Sequence, residues 1–176
     1  VSAALHSSLQ HEVIHGHPTR YRWLNTLLIF PSLSVAIPFV RFRDTHLAHH
    51  RDARLTDPYD DPESNYLAPE VWNRSSRPAR VVLRLNNTLL GRFVIGPGLG
   101  QVLFMRNDLR LIRTGDRSVL LAWLWHFVAV APVIVLGVMA PLPFWAFGAA
   151  TYGALGVLKI RTFLEHQAHD SVCART

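Results

Sequence analysis

The chain has 176 residues, 49% of them hydrophobic and only 17% charged, with a formal net charge of +6. This is one domain's worth of chain, and the charged share is low for a soluble domain of that size. A single cysteine, Cys173, excludes an internal disulfide and any zinc site built from paired thiolates.

Residue 1 is Val rather than Met, and no basic region leads into an apolar core, so the expectation is no signal peptide and a natural start upstream. Residues 11–17 then read HEVIHGH. On a helix, His11 and His15 are four apart and project from one face, where both imidazoles can grip one metal. With Glu12 between them the stretch also spells a zinc-peptidase motif, in which the glutamate activates a metal-bound water. The next segment, Trp23–Val40, is apolar but interrupted by Pro31 and Pro38. It is too short to cross a bilayer twice. A single crossing would put the residues on its two sides across the membrane from one another, so a site shared between them requires the segment to dip and return or to lie at the interface.

HLAHH comes next, at residues 46–50. His46, His49 and His50 stand at i, i+3 and i+4, so one helical turn presents three imidazoles. Residues 78–117 carry apolar positions at helical spacing mixed with arginine. Val81, Val82, Leu85 and Leu89 are expected on one face, and the segment suits helices lying in the headgroup zone or packing on a neighbour.

From Val119 to Leu158 no charged side chain occurs, and the run breaks only at APLP, residues 140–143. A helix crosses a ~30 Å hydrocarbon layer in ~20 residues, so the expectation is a transmembrane hairpin at about 119–158. A buried hairpin in a soluble protein would need a much larger chain around it. Two crossings return the chain to its original side and bring RTFLEHQAH, residues 161–169, beside the earlier histidines. Thirteen of the eighteen basic residues lie between Arg41 and Arg117 and none at the APLP turn, which places the histidines on the cytoplasmic face. The basic excess is therefore topological and phospholipid-facing, and no nucleic acid is expected as partner.

Counted together, His11, His15, His46, His49, His50 and His166 make six imidazoles, too many for one ion, so two metals are the economical reading. Nitrogen-rich ligation suits iron, zinc or copper and argues against magnesium or calcium. A zinc peptidase needs only one further ligand and has no role for HLAHH. A hydrolase would use bridging carboxylates, whereas these knots are dominated by histidine beside long apolar segments. Oxidation of a lipid by an O2-activating iron pair fits better.

These residues resemble the membrane-bound fatty acid desaturase superfamily with its hydroxylase and carotenoid-oxygenase relatives. HEVIHGH looks like the first histidine box of that family and RFRDTHLAHH like the second. RTFLEHQAHD looks like the segment that delivers a solitary ligand histidine, and LTDPYDDPES like a stretch found after the second box in one bacterial branch. The resemblance implies two iron ions, with O2 as co-substrate, held by His11, His15, His46, His49, His50 and His166. It also implies a lipid or acyl-chain substrate in the membrane and a small electron-transfer protein of ferredoxin, rubredoxin or cytochrome b5 type. A third box, ending HxxHH, is expected beyond His166, and the sequence reaches Thr176 without it. The expectation is a single partial desaturase domain over residues 1–176, truncated at both ends.

The fold expected is all-α: an integral membrane helical protein with a transmembrane hairpin and with interfacial or cytoplasmic helices that carry the histidine boxes. The activity expected is oxidation of a lipid acyl chain, with desaturation leading. Hydroxylation or ketolation of an alkane or carotenoid is the near alternative, and a zinc peptidase or an inactive fragment the distant one. Glu12 is read either as a partner orienting an imidazole or as a helix-surface acid. His17 and His169 are read as solvated rather than ligating, and Asp44 and Glu165 as weak candidates for orienting an imidazole. His126 is expected to be a neutral imidazole bonded between helices, and His6 is isolated. Asp57, Asp60, Asp61 and Glu63 form an acidic patch read as a solvated turn.

Overall fold

A computed structural model describes residues 1–33, 35–51, 67–140 and 143–165. These form helices α1 (Ser2–Ile14), α2 (Arg22–Ile29), α3 (Phe39–Arg51), α4 (Pro69–Arg74), α5 (Arg77–Asn86), α6 (Leu89–Val94), α7 (Gly96–Arg113), α8 (Arg117–Met139) and α9 (Phe144–Glu165), with no strand among the described residues. The all-α expectation is met.

The stretch between the two histidine knots turns back on itself. Gly16 takes a left-handed conformation, φ 91°, and ends α1. Asn25, buried in α2, then fastens the connection. Its Oδ1 accepts from the Thr19 backbone N–H at 3.0 Å and from the Thr19 hydroxyl at 2.7 Å, while its Nδ2 donates to the Thr19 carbonyl at 2.8 Å. Beyond α2 the chain bends at residues 31, 33 and 35–37 and enters α3, which packs against α1.

The return is clamped from the other side. The His126 imidazole in α8 donates Nε2–H to the Val35 carbonyl at 3.0 Å, and the Gln101 amide in α7 donates to the Ala36 carbonyl at 2.7 Å. His126 is thus a buried imidazole bonded between elements, as expected. It belongs to a stripe on α8, with Val119, Ala122, Ala129, Val130 and Val133, that forms the core against α3 and α7.

The stretch from Val81 to Leu89, expected as one helical face, is divided between two helices. Helix α5 stops at Asn86, and the Thr88 side chain accepts from the Gly91 N–H at 3.0 Å to cap a new helix, so Leu89 belongs to α6. Helix α7 packs against α6, α8 and α9.

Among the described residues, α8 is the one helix long and apolar enough to cross a bilayer. Its start is capped by Asp116, whose side chain accepts from the Ser118 hydroxyl at 2.6 Å and from the backbone N–H groups of Ser118 and Val119. These bonds hold the Asp116 carboxyl below its usual range, the Ser118 hydroxyl contributing most. Large apolar side chains at the far end of α8 and the start of α9 are exposed, Met139 and Phe144 at 76% each. Helix α9 then comes back onto α6, α7 and α1, where the Arg161 guanidinium donates to the Ser8 hydroxyl at 3.1 Å.

Gly156 allows the close approach of α6 and α9. A Cβ there would stand 2.7 Å from the Phe93 carbonyl oxygen and 2.8 Å from the Phe93 ring. Gly156→Ala should therefore cost about 1–3 kcal/mol through overpacking. Gly148→Ala, with nothing within 4 Å of the new methyl, should be neutral or slightly stabilising in thermal unfolding of the detergent-solubilised protein.

Candidate metal centre

Four histidines from two helices converge. His11 lies in the last turn of α1 and His15 at its C-cap; His46 and His50 lie one turn apart on α3. One ligand nitrogen from each lies within 4.8 Å of all the others. The His15 and His46 Nε2 atoms are 3.3 Å apart, and those of His46 and His50 2.9 Å. Ring centroids separate by 4.6 Å between His11 and His46 and by 5.0 Å between His15 and His50. His46 is buried, 5% exposed, His11 is half-buried, and His15 and His50 reach the surface.

Two nitrogens bound at ~2.1 Å to one ion, ~90–110° apart, lie ~3.0–3.4 Å from each other. The His15–His46 and His46–His50 separations lie close to that spacing, and the whole group spans no more than 4.8 Å. Imidazole nitrogens from two helices stand close to one another here, an arrangement that a transition-metal ion can bridge. His15 also caps the carbonyl end of α1, where the helix's partial negative charge favours a cation. The residues fit a metal.

Two side chains hold the second knot in place. Asp108 on α7, 1% exposed, accepts from Arg41 Nε at 2.9 Å and from Arg41 Nη2 at 2.7 Å. The Trp123 indole N–H of α8 donates to the same carboxylate at 2.9 Å. Arg41 is one and a half turns before His46 on α3, so α3 is tied to both α7 and α8 on its approach to the cluster. The Asp108 carboxylate raises the Arg41 guanidinium above its ordinary value, its hydrogen bonds being the largest cause. Neither Asp108 nor this pairing was singled out by sequence reasoning.

The other expected site residues divide clearly. His49 is buried, 1% exposed, but lies outside the group of four, its ring centroid 6.0 Å from His46 and 5.6 Å from His50. His166, together with His169 and the acidic residues 57–63, lies outside the described residues. Glu12 is exposed and places Oε1 3.4 Å from His11 Nδ1. Asp44 is taken up by Arg43, at 2.8 Å. His17 sits exposed in the turn after α1, apart from the group of four.

The family model for fatty acid desaturase matches residues 1–175. The chain belongs to the fatty acid desaturase family. No curated protein and no solved structure matches it. Membership makes the chain an oxidoreductase of lipid metabolism in a membrane-associated family, and it separates HEVIH from the peptidase motif that the same letters spell.

Burial, followed by the neighbouring His11 and His46, holds the His15 imidazole below the usual value of 6.5. Burial also lowers His6, against the opposing pull of the Ile29 and Pro31 carbonyls. With folded-state values below the unfolded one, the unfolded chain binds more protons between them, so stability rises with pH through that window. It is fully present above 6.5 and is lost as pH falls toward the folded-state values. The metal-free desaturase-family chain should therefore lose melting temperature between pH 7 and pH 5, and metal affinity should fall with it because only neutral imidazole ligates. A flat profile contradicts this.

Asp108→Ala leaves the Arg41 charge uncompensated in a largely buried position and should cost about 3–5 kcal/mol in denaturant unfolding. Asp44→Ala, which breaks an exposed pair, should cost under ~1 kcal/mol.

Proposed function

We propose that this chain carries out O2-dependent di-iron oxidation of a lipid acyl chain, with desaturation as the outcome. The observation that carries the reading is the meeting of His11 and His15 with His46 and His50 in a chain of this family. When bound, iron supplies O2 activation and one-electron chemistry, with electrons delivered by a small ferredoxin-, rubredoxin- or cytochrome b5-type protein. His11, His15, His46 and His50 hold metal as neutral imidazoles, and His49 and His166 complete the set of six. Near neutral pH the lowered His15 value keeps its ring unprotonated and free to bind.

The surroundings support a lipid substrate and a membrane setting. Between α6 and α9 lies an apolar cleft of about 470 Å³ lined by Phe93, Val157, Ile160 and Leu164, with Arg161 among them. Arg161 reaches Ser8 on α1, the helix that carries His11 and His15. An alkyl chain in that cleft is sheltered from water along one side of α9. In this reading α8 crosses the bilayer and α9 returns, with the histidines on the cytoplasmic face, where the basic residues concentrate. The apolar side chains exposed at the α8–α9 end then meet lipid instead of water.

Hydroxylation or ketolation is the second reading, since the same oxidant can leave oxygen on the carbon; the rigidity of the bound chain decides between the two outcomes. The test is metal analysis of the purified protein together with lipid analysis of cells that express it with an electron donor. Bound iron and a new double bond, both lost in His46→Ala, are the expected result. An added hydroxyl or keto group selects the second reading. Bound zinc with peptide cleavage and no lipid product overturns both.

A further inference from the structure

Helices α4 and α5 carry a patterned surface that the histidine site does not use. Helix α5 has three faces. Ala79, Leu83 and Asn86 turn inward, half-buried or buried. Val81, Val82 and Leu85 form an exposed apolar strip, prolonged by Leu89 and Leu90 of α6, each 72% exposed. Arg77, Arg80 and Arg84 flank that strip on its other side, with Arg74 at the end of α4. None of these four guanidiniums meets a carboxylate among the described residues; Arg84 lies over the Trp72 ring at 5.5 Å.

The height of this surface along the molecule is fixed by α6. Arg92 stands over the Phe163 ring at 4.3 Å, and the Tyr152 hydroxyl donates to the Val94 carbonyl at 2.5 Å. Helix α6 thus abuts the end of α9 that bears Lys159 and Arg161, the first charges after the uncharged run from Val119 to Leu158. Charges that close an apolar run mark where hydrocarbon gives way to headgroups.

We propose that α4 and α5 form a docking element for an anionic phospholipid surface, the Val81–Val82–Leu85 strip entering the acyl boundary while Arg74, Arg77, Arg80 and Arg84 meet lipid phosphates. The proposal rests on the reading that α8 and α9 cross the membrane. An apolar strip bordered by unpaired cations is what an interfacial helix requires. An acidic protein partner would match the arginines but leave the valines and Leu85 in water. A second copy in a two-fold contact would set the arginine strip against itself.

The test uses the whole chain with Cys173→Ser and a nitroxide on Val82→Cys, reconstituted in nanodiscs of phosphatidylcholine alone or with phosphatidylglycerol. The label should be reached by O2 and shielded from a water-soluble nickel chelate only when phosphatidylglycerol is present. Glutamine at positions 74, 77, 80 and 84 should release it, the docked-to-undocked ratio falling about fivefold for each arginine removed. Equal water exposure in both lipids, equal burial in both, or broadening between labels from a second copy overturns the proposal. A label on Val135→Cys reports the crossing of α8 separately. Lipid burial at 135 with water exposure at 82 overturns the docking alone, and water exposure at both positions overturns the crossing as well.

Discussion

Asp108 accepts three hydrogen bonds in a position almost closed to solvent, two from the Arg41 guanidinium and one from the Trp123 indole. Each partner comes from a different helix, so a single carboxylate joins α3, α7 and α8. A buried ion pair gains little over apolar packing as a source of stability, but it fixes register, because any slip leaves a charge uncompensated. Here the register it fixes is that of α3. His46 and His50 sit one to three turns beyond Arg41, and their facing of α1 depends on that helix being neither rotated nor displaced. The His126 and Gln101 bonds to the Val35 and Ala36 carbonyls hold the approach to α3 in the same manner.

The remaining fastening is local. Asn25 gathers Thr19 to α2 and closes the turn just after His15, so α1 ends where its two histidines look toward α3. The histidines on α1 and those on α3 are separated by about thirty residues in sequence, yet the His11 and His46 rings are 4.6 Å apart. A transition metal bound there would bridge imidazole nitrogens of the two helices, so metal binding and the packing of α1 on α3 are coupled.

Much of this was legible in the sequence because it rests on local spacing. The i, i+4 pair at 11 and 15, the HLAHH turn and the uncharged run after residue 118 all report which side chains share a helix face or how long a helix runs, and each reappears in α1, α3 and α8. The prolines at 31 and 38 and the polar residues around them similarly anticipated that Trp23–Val40 does not form one straight helix. The Arg41–Asp108 bond was illegible for the converse reason: its partners are 67 residues apart, and an arginine or aspartate in an amphipathic segment reads as a surface charge. The break after Asn86 was missed because Thr88 caps α6 within a run whose apolar spacing continues across it. His49 shares the HLAHH turn and the resemblance with its neighbours, but one position along a helix is a rotation of ~100°, and its ring stands outside the group of four.

The central claim is that histidines of α1 and of α3 grip metal jointly. Iron affinity measured anaerobically tests it most directly, comparing the unaltered chain with a His11→Ala/His15→Ala variant and a His46→Ala/His50→Ala variant. The account predicts that either double replacement abolishes tight binding, since neither helix alone completes the site. Affinity equal to that of the unaltered chain in either variant would contradict it.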